Sequence, residues 1–593
     1  MIRDEQSLIE YIQKCEENIF AAIDTETTSL NVFQAQIAGV CLYSKGLQAA
    51  YIPINHKSYV TGERTKEQLT EEQVANYLDI PHIKWIMHNA DFDIRILRHC
   101  LGIRVKCYWD TMLAGNCIDE NESHRLKDLH LKYCPDENET ESLSFDTLFN
   151  GIDFTLVPIT TAYLYAAGDA IKTFELYEYQ LQVLKEMPEV LDLLLNIEMP
   201  ITDVVADMED RGVCIDFEYA EELSTKYNKK HEEILQKANN AIAMYSEEIE
   251  NYMMAHPTAK LDMPINLGSP SQLAILFYDI LKLESPLKKS PRGTGEEILQ
   301  HFAKGKHKDI CEAILELRGV EKLLSTYIDK IPDLARSYPD KRVHCAFRQW
   351  GAKTGRFSSN DPNLQNIPSH NKDIRPMFKA QDGYVLIGSD FSQQEPMMCA
   401  HLSQDIEMMN AFKNGKDIYS TIASLAFHKS YEDCREFRQD GTTNPAGKER
   451  RTQAKSIVLG ILYGRSVPSI AEQLDCKTEE AQNIYDSVLR AFPQLANFIE
   501  ESQGMARTKG YVTTAWGRRR HLSDMQLPPY EFTYQDGYLP DDFDPLNFNG
   551  NVDTSGKVPR RTIAEFTKNL QNCKSWKEKE RVKAEINLKH INI

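Results

Sequence analysis

No two cysteines in this chain stand in a C-x-x-C pair, although thirteen are scattered through its 593 residues. That scatter argues against zinc and against a disulfide framework, and it fits a reducing cytoplasm. No run of about 18 apolar residues occurs, so no transmembrane helix and no membrane partner are expected. The start, "MIRDEQSLIEYIQKCEENIF", is charged and helical in pattern, without the apolar core of a signal peptide. Internal repeats and low-complexity tracts are also missing. Positive charge is scarce: 68 Lys and Arg against 88 Asp and Glu leave a net charge of -20, which taken alone gives no hint of nucleic acid. Binding depends on patches, however, and the cluster "GKERRTQAK" (447–455) is able to line a groove.

The length exceeds what one core supports, so three or four domains are expected. Residues 18 to 25, "NIFAAIDT", and the later run "IAGVCLYS" read as paired strands. Helical patterns dominate from about 157 to 255, and a mostly helical region spans 217 to 335. Strand and helix mix again from "KRVHCAFRQW". The stretch 530–556, rich in Asp, Asn, Gly and Pro, reads as a long loop or insertion.

Acidic residues carry the first chemistry. "AAIDTETTSL" (21–30) sets Asp24 and Glu26 two apart on a strand, so both carboxylates leave one face. Like charges that close are costly unless a cation sits between them. By itself D-x-E is common on solvated edges, but "HNADFDIRIL" (88–97) adds Asp93, four residues after an Asn. "YLYAAGDAIKTFEL" (163–176) adds Tyr165 and Asp169, one helical turn apart. Four carboxylates and a tyrosine in this order suit a two-metal hydrolytic site, with Tyr165 placed to orient the attacking water.

D-x-E, N-x-x-[FY]-D and Y-x-x-x-D, in that sequence, resemble the proofreading 3′–5′ exonuclease domain of DNA polymerase I-like enzymes. Within "HNADFD" the motif selects Asp93, and Asp91 reads as a helix N-terminal acid. The resemblance continues almost unbroken from residue 18 to about 525. "KTGRFSSNDPNLQNIP" (353–368) resembles the palm segment that contacts primer and template, which implies roles for Arg356, Asn363, Gln365 and Asn366. Arg and amide side chains suit the minor groove, whose acceptors are common to all base pairs. "SDFSQQEPM" looks like motif A of family A polymerases. It implies that Asp390, helped by the Phe391 carbonyl, binds two magnesium ions, and that Glu395 is the steric gate against a ribose 2′-hydroxyl. Gln394 stands where an aliphatic residue is usual, and Pro396-Met397 where Leu-Arg is common.

"RTQAKSIVLGILYG" (451–464) looks like motif B. Arg451, Lys455, Leu459 and Tyr463 recur every four residues and so share one stripe of a helix. A cationic start with an apolar-aromatic end is able to hold a triphosphate at one side and a base at the other. The resemblance further gives Lys455 the protonation of departing pyrophosphate. Leu459 replaces the usual Phe or Tyr, and Tyr419, in "GKDIYS", replaces a phosphate-contacting His.

The family pattern then requires a Gln-containing helix and motif C, a His-Asp-Glu turn whose Asp is the second catalytic carboxylate. None of the 16 histidines is followed by Asp. The partner of Asp390 is therefore not found in these residues. Three accounts stay open: a truncated sequence, an interrupted gene whose remainder is spliced or made separately, or a chain that retains only its nuclease.

The fold class expected is multidomain α/β: a ribonuclease H-like 3′–5′ exonuclease domain, then a thumb–palm–fingers module short of its last palm strands. The divisions are 1–187 for the exonuclease, 188–340 for the start of the palm and the helical thumb, 341–400 for the palm with motif A, and 401–593 for the fingers with motif B. The implied function is template-directed DNA synthesis with proofreading, of a Klenow-like and phage-like kind. It uses two Mg2+ ions per site (Mn2+ substituting), primer-template DNA and dNTPs, with a second polypeptide carrying motif C as a possible partner. The rival readings are a 3′–5′ exonuclease with a DNA-gripping module, and the structural half of a split polymerase.

Overall fold

The computed structural model describes residues 1–135, 151–287, 290–369, 371–474 and 476–526. The expected insertion at 530–556 lies outside the described residues. The chain divides into two compact units, Met1–Ile387 and Gly388–Ile593.

The first unit begins with helix α1 (Glu5–Asn18), started by the Asp4 carboxylate, which accepts from the Ser7 amide at 2.9 Å. Strands β1 (Phe20–Thr27), β2 (Ile37–Tyr43) and β3 (Ala50–Pro53) follow, then helix α2 (Glu71–Leu78) and strand β4 (Lys84–Met87). Helix α3 (Ala90–Leu101) leads to strand β5 (Cys107–Asp110) and helices α4 (Thr111–Ile118) and α5 (Leu126–Tyr133). These strands form one sheet in the order β3-β2-β1-β4-β5. β1 runs antiparallel to β2 and parallel to β4, which is parallel to β5. The expected pairing of 18–25 with "IAGVCLYS" is present, Asp24 lying opposite Cys41. β1 is central, so both its faces are covered. Ala21 and Ile23 join a core with Leu8 of α1 and Ile94 and Leu97 of α3. Ala22 joins another with α4 and helix α6 (Ile159–Lys185). Along α6 the buried Ala162, Ala166 and Ala170 keep the surface flat enough for close approach to the sheet.

Helix α7 (Met199–Arg211), strand β6 (Val213–Ile215) and helices α8 (Phe217–Ala243) and α9 (Lys308–Leu323) come next. α8 and α9 share an apolar core that includes Leu223, Tyr227, Ile314 and Leu317. Strand β7 (Arg342–Val343) pairs with β6; β8 (Ala346–Arg348) and β9 (Ser358–Asn360) pair antiparallel; β10 (Phe378–Lys379) pairs with the other side of β6.

The second unit is helical around a core of its own. It contains α10 (Gln394–Ser403), α11 (Ile418–Phe427) and α12 (Pro445–Leu462), followed by a hairpin of β11 (Tyr511–Thr513) and β12 (Arg519–His521). Among the described residues no helix is long and apolar enough to cross a membrane.

One expectation is corrected. The apolar run Tyr384–Ile387 has the composition of a buried strand leading to Asp390. Residues 385–391 are instead irregular and 384–391 exposed, Val385 at 79% and Ile387 at 90%. An apolar β-type run becomes a strand only when neighbours pair its backbone and cover its faces. Among the described residues no strand pairs with it.

Candidate active sites

The nuclease-type site is built from three elements that meet at the sheet. The alternation of β1 sends Asp24 and Glu26 to the face that α6 covers. Tyr165 and Asp169 share one face of α6, four residues apart. Asp93 comes from α3, and a buried carboxylate at the end of β5 fixes that helix. Asp110 accepts from the Asn89 amide (3.1 Å), the Ala90 amide (2.8 Å) and the Met112 amide (2.8 Å), so one side chain starts both α3 and α4. Asn89 takes the left-handed conformation at the turn, with φ 64°. One turn into α3, the buried Asp93 accepts from the Thr25 amide at 3.1 Å and the Thr25 hydroxyl at 2.5 Å. Thr25, between the two strand acids, thus ties α3 to β1.

The electrostatics follow from this crowding. Burial pushes the Asp24 carboxyl far above the usual carboxylate range, and the charges of Asp93, Glu26 and Asp169 push it further. Glu26 moves the same way, by burial and then by Asp169 and Asp93. Asp93 is raised to about 7, chiefly by burial, while its two bonds from Thr25 pull it down. Lys127 of α5 opposes the trend at both Asp24 and Glu26. Its ammonium lies 3.7 Å from Asp169 Oδ2 and 4.4 Å from the centre of the Tyr165 ring. Four hard oxygen donors that destabilise one another in a partly buried site fit a divalent cation.

Asp91 takes a separate place. It lies in the first turn of α3, 3.7 Å from Arg95, in an ion network with Glu209 and Asp210 of α7. Burial, with Glu209 next, raises its carboxyl to about 7.

The palm-type residues lie in the first unit. Arg356, in the β8–β9 connection, is exposed, as are Asn363, Gln365 and Asn366. The Asn363 side chain caps the short turn 364–366, and the Asn366 carbonyl accepts from the Tyr327 hydroxyl at 2.6 Å. Asn363 and Asn366 line an open cleft of about 880 Å³, whose other wall includes Tyr227 and Lys230 of α8 and Glu316 and Lys322 of α9. Arg356 and Gln365 do not line it.

The motif B residues lie in the second unit on and just after α12. Arg451 makes a two-pronged pair with Asp417, Nε to Oδ2 at 2.9 Å and Nη2 to Oδ1 at 3.0 Å. Arg451 and Lys455 both stand over the buried Tyr419 ring, at 5.4 and 5.8 Å. Lys455 is exposed and Leu459 half-buried. Tyr463 falls just past the last turn of α12, and its hydroxyl donates to Glu395 Oε1 of α10 at 2.7 Å. The two residues assigned to sugar and base handling are therefore in direct contact. Asp390 and Phe391 sit in the exposed segment, and among the described residues no hydrogen bond or ion pair engages Asp390.

Lys127, Thr25, Asp110 and Asp417 escaped the reading of the sequence. Asp417 had a usable signal, since Asp with Ser three residues later marks a helix start. Lys127 had none, standing as one basic residue of an ordinary amphipathic stretch, "RLKDLHLKY".

Two family models match the chain: DNA polymerase family A over residues 229–533, and 3′-5′ exonuclease over residues 1–185. The chain belongs to DNA polymerase family A. Its similar proteins include DNA polymerase I of Pseudomonas aeruginosa, 30% identical over 542 residues, a match covering 88% of this chain and 55% of that one. DNA polymerase I of Chloroflexus aurantiacus is 31% identical over 539 residues, covering 89% and 53%. The chain thus spans about half the length of these curated relatives. Among solved structures, the POL domain of Pol1 from M. smegmatis, in complex with DNA primer-template and dNTP, superposes with a TM-score of 0.71 at 24% identity. That match covers 90% of this chain and 83% of that one, and it shows the shared fold.

Proposed function

We propose that this chain carries out template-directed DNA synthesis of the family A type, with a 3′–5′ exonuclease that proofreads. The observation that carries the nuclease half is the partly buried cluster of Asp24, Glu26, Asp93 and Asp169 with Tyr165 beside it. Asp24, Glu26, Asp93 and Asp169 would hold two divalent ions, Mg2+ or Mn2+. Such ions supply Lewis acidity and a hydroxide nucleophile at neutral pH. The carboxylates fix where that charge sits, and the Tyr165 hydroxyl orients the water for in-line attack on the last phosphodiester of a DNA 3′ end.

In the polymerase half, Asp390 with the Phe391 carbonyl is the proposed metal-binding group. Arg451, Lys455 and Tyr419 form the proposed triphosphate cradle. Leu459 and Tyr463 face base and sugar, and Glu395, held by Tyr463, fills the 2′ position. Arg356, Asn363, Gln365 and Asn366 are assigned to the duplex, a reading supported by the cleft that Asn363 and Asn366 line. The partners proposed are primer-template DNA and dNTPs, the ligands named for the M. smegmatis structure. The domain division 1–187, 188–340, 341–400 and 401–593 belongs to the same reading. So does a second carboxylate beside Asp390, supplied by a segment bearing a His-Asp-Glu turn.

The test of the nuclease half is direct. The full chain should degrade single-stranded DNA from the 3′ end with Mg2+ or Mn2+. Asp24→Ala or Asp169→Ala should slow it by orders of magnitude, since each removes a metal ligand. Undiminished degradation in both variants would sink the assignment.

A further inference from the structure

Lys127 has no role in the motifs of the site, yet its ammonium reaches into it. Helix α5 is pinned against α6 and α4 close to that lysine. His130 Nε2 and Glu175 Oε2 of α6 lie 2.7 Å apart, and the buried Leu129 packs close against Gly115 of α4, where an added Cβ would come within 3.3 Å of it. One turn earlier on the same helix, Lys127 is directed to Asp169 Oδ2 at 3.7 Å and to the face of Tyr165 at 4.4 Å. Only 22% of its side chain is exposed, against 15% for Asp169. A half-buried ammonium beside Asp169 that also acts on Asp24 and Glu26 supplies the countercharge that such a cluster needs. It also holds a ring by its π face, which limits the ring's rotation.

We propose that Lys127 is a positioning residue of the nuclease site, whose ammonium competes with the divalent cations for the same carboxylates and whose contact with the Tyr165 ring fixes the phenol that orients water. This rests on the nuclease reading above. Two consequences run in opposite directions. Removing the charge relieves the competition, so divalent ions bind more tightly. It also frees the Tyr165 ring, so the hydrolytic step slows although the metals are better held. A lysine that merely supports the fold produces no such opposition.

The experiment compares the full-length wild type, Lys127→Met and Lys127→Arg. Mn2+ binding is measured by calorimetry with MnCl2, single-turnover degradation of single-stranded DNA at saturating Mn2+, and thermal melting in EDTA. In Lys127→Met the Mn2+ dissociation constant should fall by about tenfold, the effect of roughly one pKa unit from a neighbouring charge. The degradation rate should fall by roughly 10- to 100-fold, the range found when a supporting partner of a metal site is lost. Its melting temperature in EDTA should drop below that of wild type, and added Mn2+ should close the gap. Lys127→Arg should return the Mn2+ affinity towards wild type. Unchanged Mn2+ affinity in Lys127→Met overturns the proposal, and so does a joint loss of affinity and rate. Should Lys127→Met fail to fold even with Mn2+, Lys127→Gln is set against Lys127→Arg: tighter Mn2+ binding by the Gln variant supports the proposal, and equal binding overturns it. A wild type that does not degrade DNA would count against the nuclease reading itself, whereas an active wild type with unmoved affinities counts against Lys127 alone.

Discussion

Asp93 is 3% exposed and accepts two hydrogen bonds from Thr25, yet its carboxyl is raised to about 7. Burial outweighs the bonds because two neutral donors do not replace the hydration of a full charge. The consequence reaches stability. Unfolded, this carboxyl releases its proton near 3.8; folded, it keeps the proton up to about 7. Between those values the folded state binds more protons than the unfolded one, so stability falls as pH rises. Asp24 and Glu26 shift in the same direction and add to the slope. In EDTA the protein should therefore melt at a lower temperature at pH 8 than at pH 5.5, by an amount on the order of a few kcal/mol in unfolding free energy. Mg2+ at pH 8 should reverse the loss, because a cation stabilises the ionised cluster. Asp93→Asn should flatten the slope. Metal-free melting that improves towards pH 8 would contradict the account. The same residue shows why carboxylates this close are kept at all: without a cation they are a cost, and the site is arranged for the bound state.

At the scale of elements, α11 and α12 are held together through one side chain. Asp417 Oδ2 caps α11 by accepting from the Ser420 amide at 2.8 Å, and its two oxygens take both prongs of Arg451 on α12. Asp417→Ala should cost about 1 kcal/mol for the lost cap and roughly 1–3 kcal/mol in all once Arg451 is left without this partner. Asp417→Asn keeps the cap and should cost less. Hydrogen exchange at the amides of 418–421 reads this locally: protection should fall most in the Ala variant, and equal protection in all three proteins would refute the link. These elements also show what a sequence reveals. β1, β2, α6 and α12 were legible because their apolar periods match their structures and because each packs one or two faces against neighbours in sequence order. The shared face of Asp24 and Glu26 on β1, and that of Tyr165 and Asp169 on α6, were legible for the same reason, since period fixes face. Asp417 was legible only as a helix start; its grip on Arg451 comes from packing between helices. Lys127 enters its site through the docking of α5 on α6, which no local pattern encodes. The run 384–387 failed in the opposite way. Its composition is that of a strand, but a strand is a property of the sheet around it.

For the molecule as a whole, the two proposed chemistries rest on unequal footing. The nuclease cluster draws on β1, α3 and α6, with α3 and α6 packed on the two faces of one sheet. The polymerase residues are spread over the palm-type loops of the first unit and over α10, α11 and α12 of the second, while Asp390 lies in an exposed segment. Binding and chemistry should therefore separate. Primer-template binding depends on phosphate and groove contacts, for which Arg356, the amides at 363 to 366 and the basic face of α12 are available. In-line transfer needs two cations roughly 3.5–4 Å apart, held by more than one carboxylate. The full-length Asp24→Ala protein, in which degradation cannot mask synthesis, should bind a primer-template in a gel-shift or anisotropy assay. Binding should weaken steeply with salt, as phosphate contacts require. Extension of the primer with Mg2+ and dNTPs should depend on Asp390, so adding Asp390→Ala to this protein should cut extension by orders of magnitude while binding is kept. Undiminished extension by the Asp390→Ala variant would mean that other carboxylates hold the metal ions, and the assignment would have to move to them.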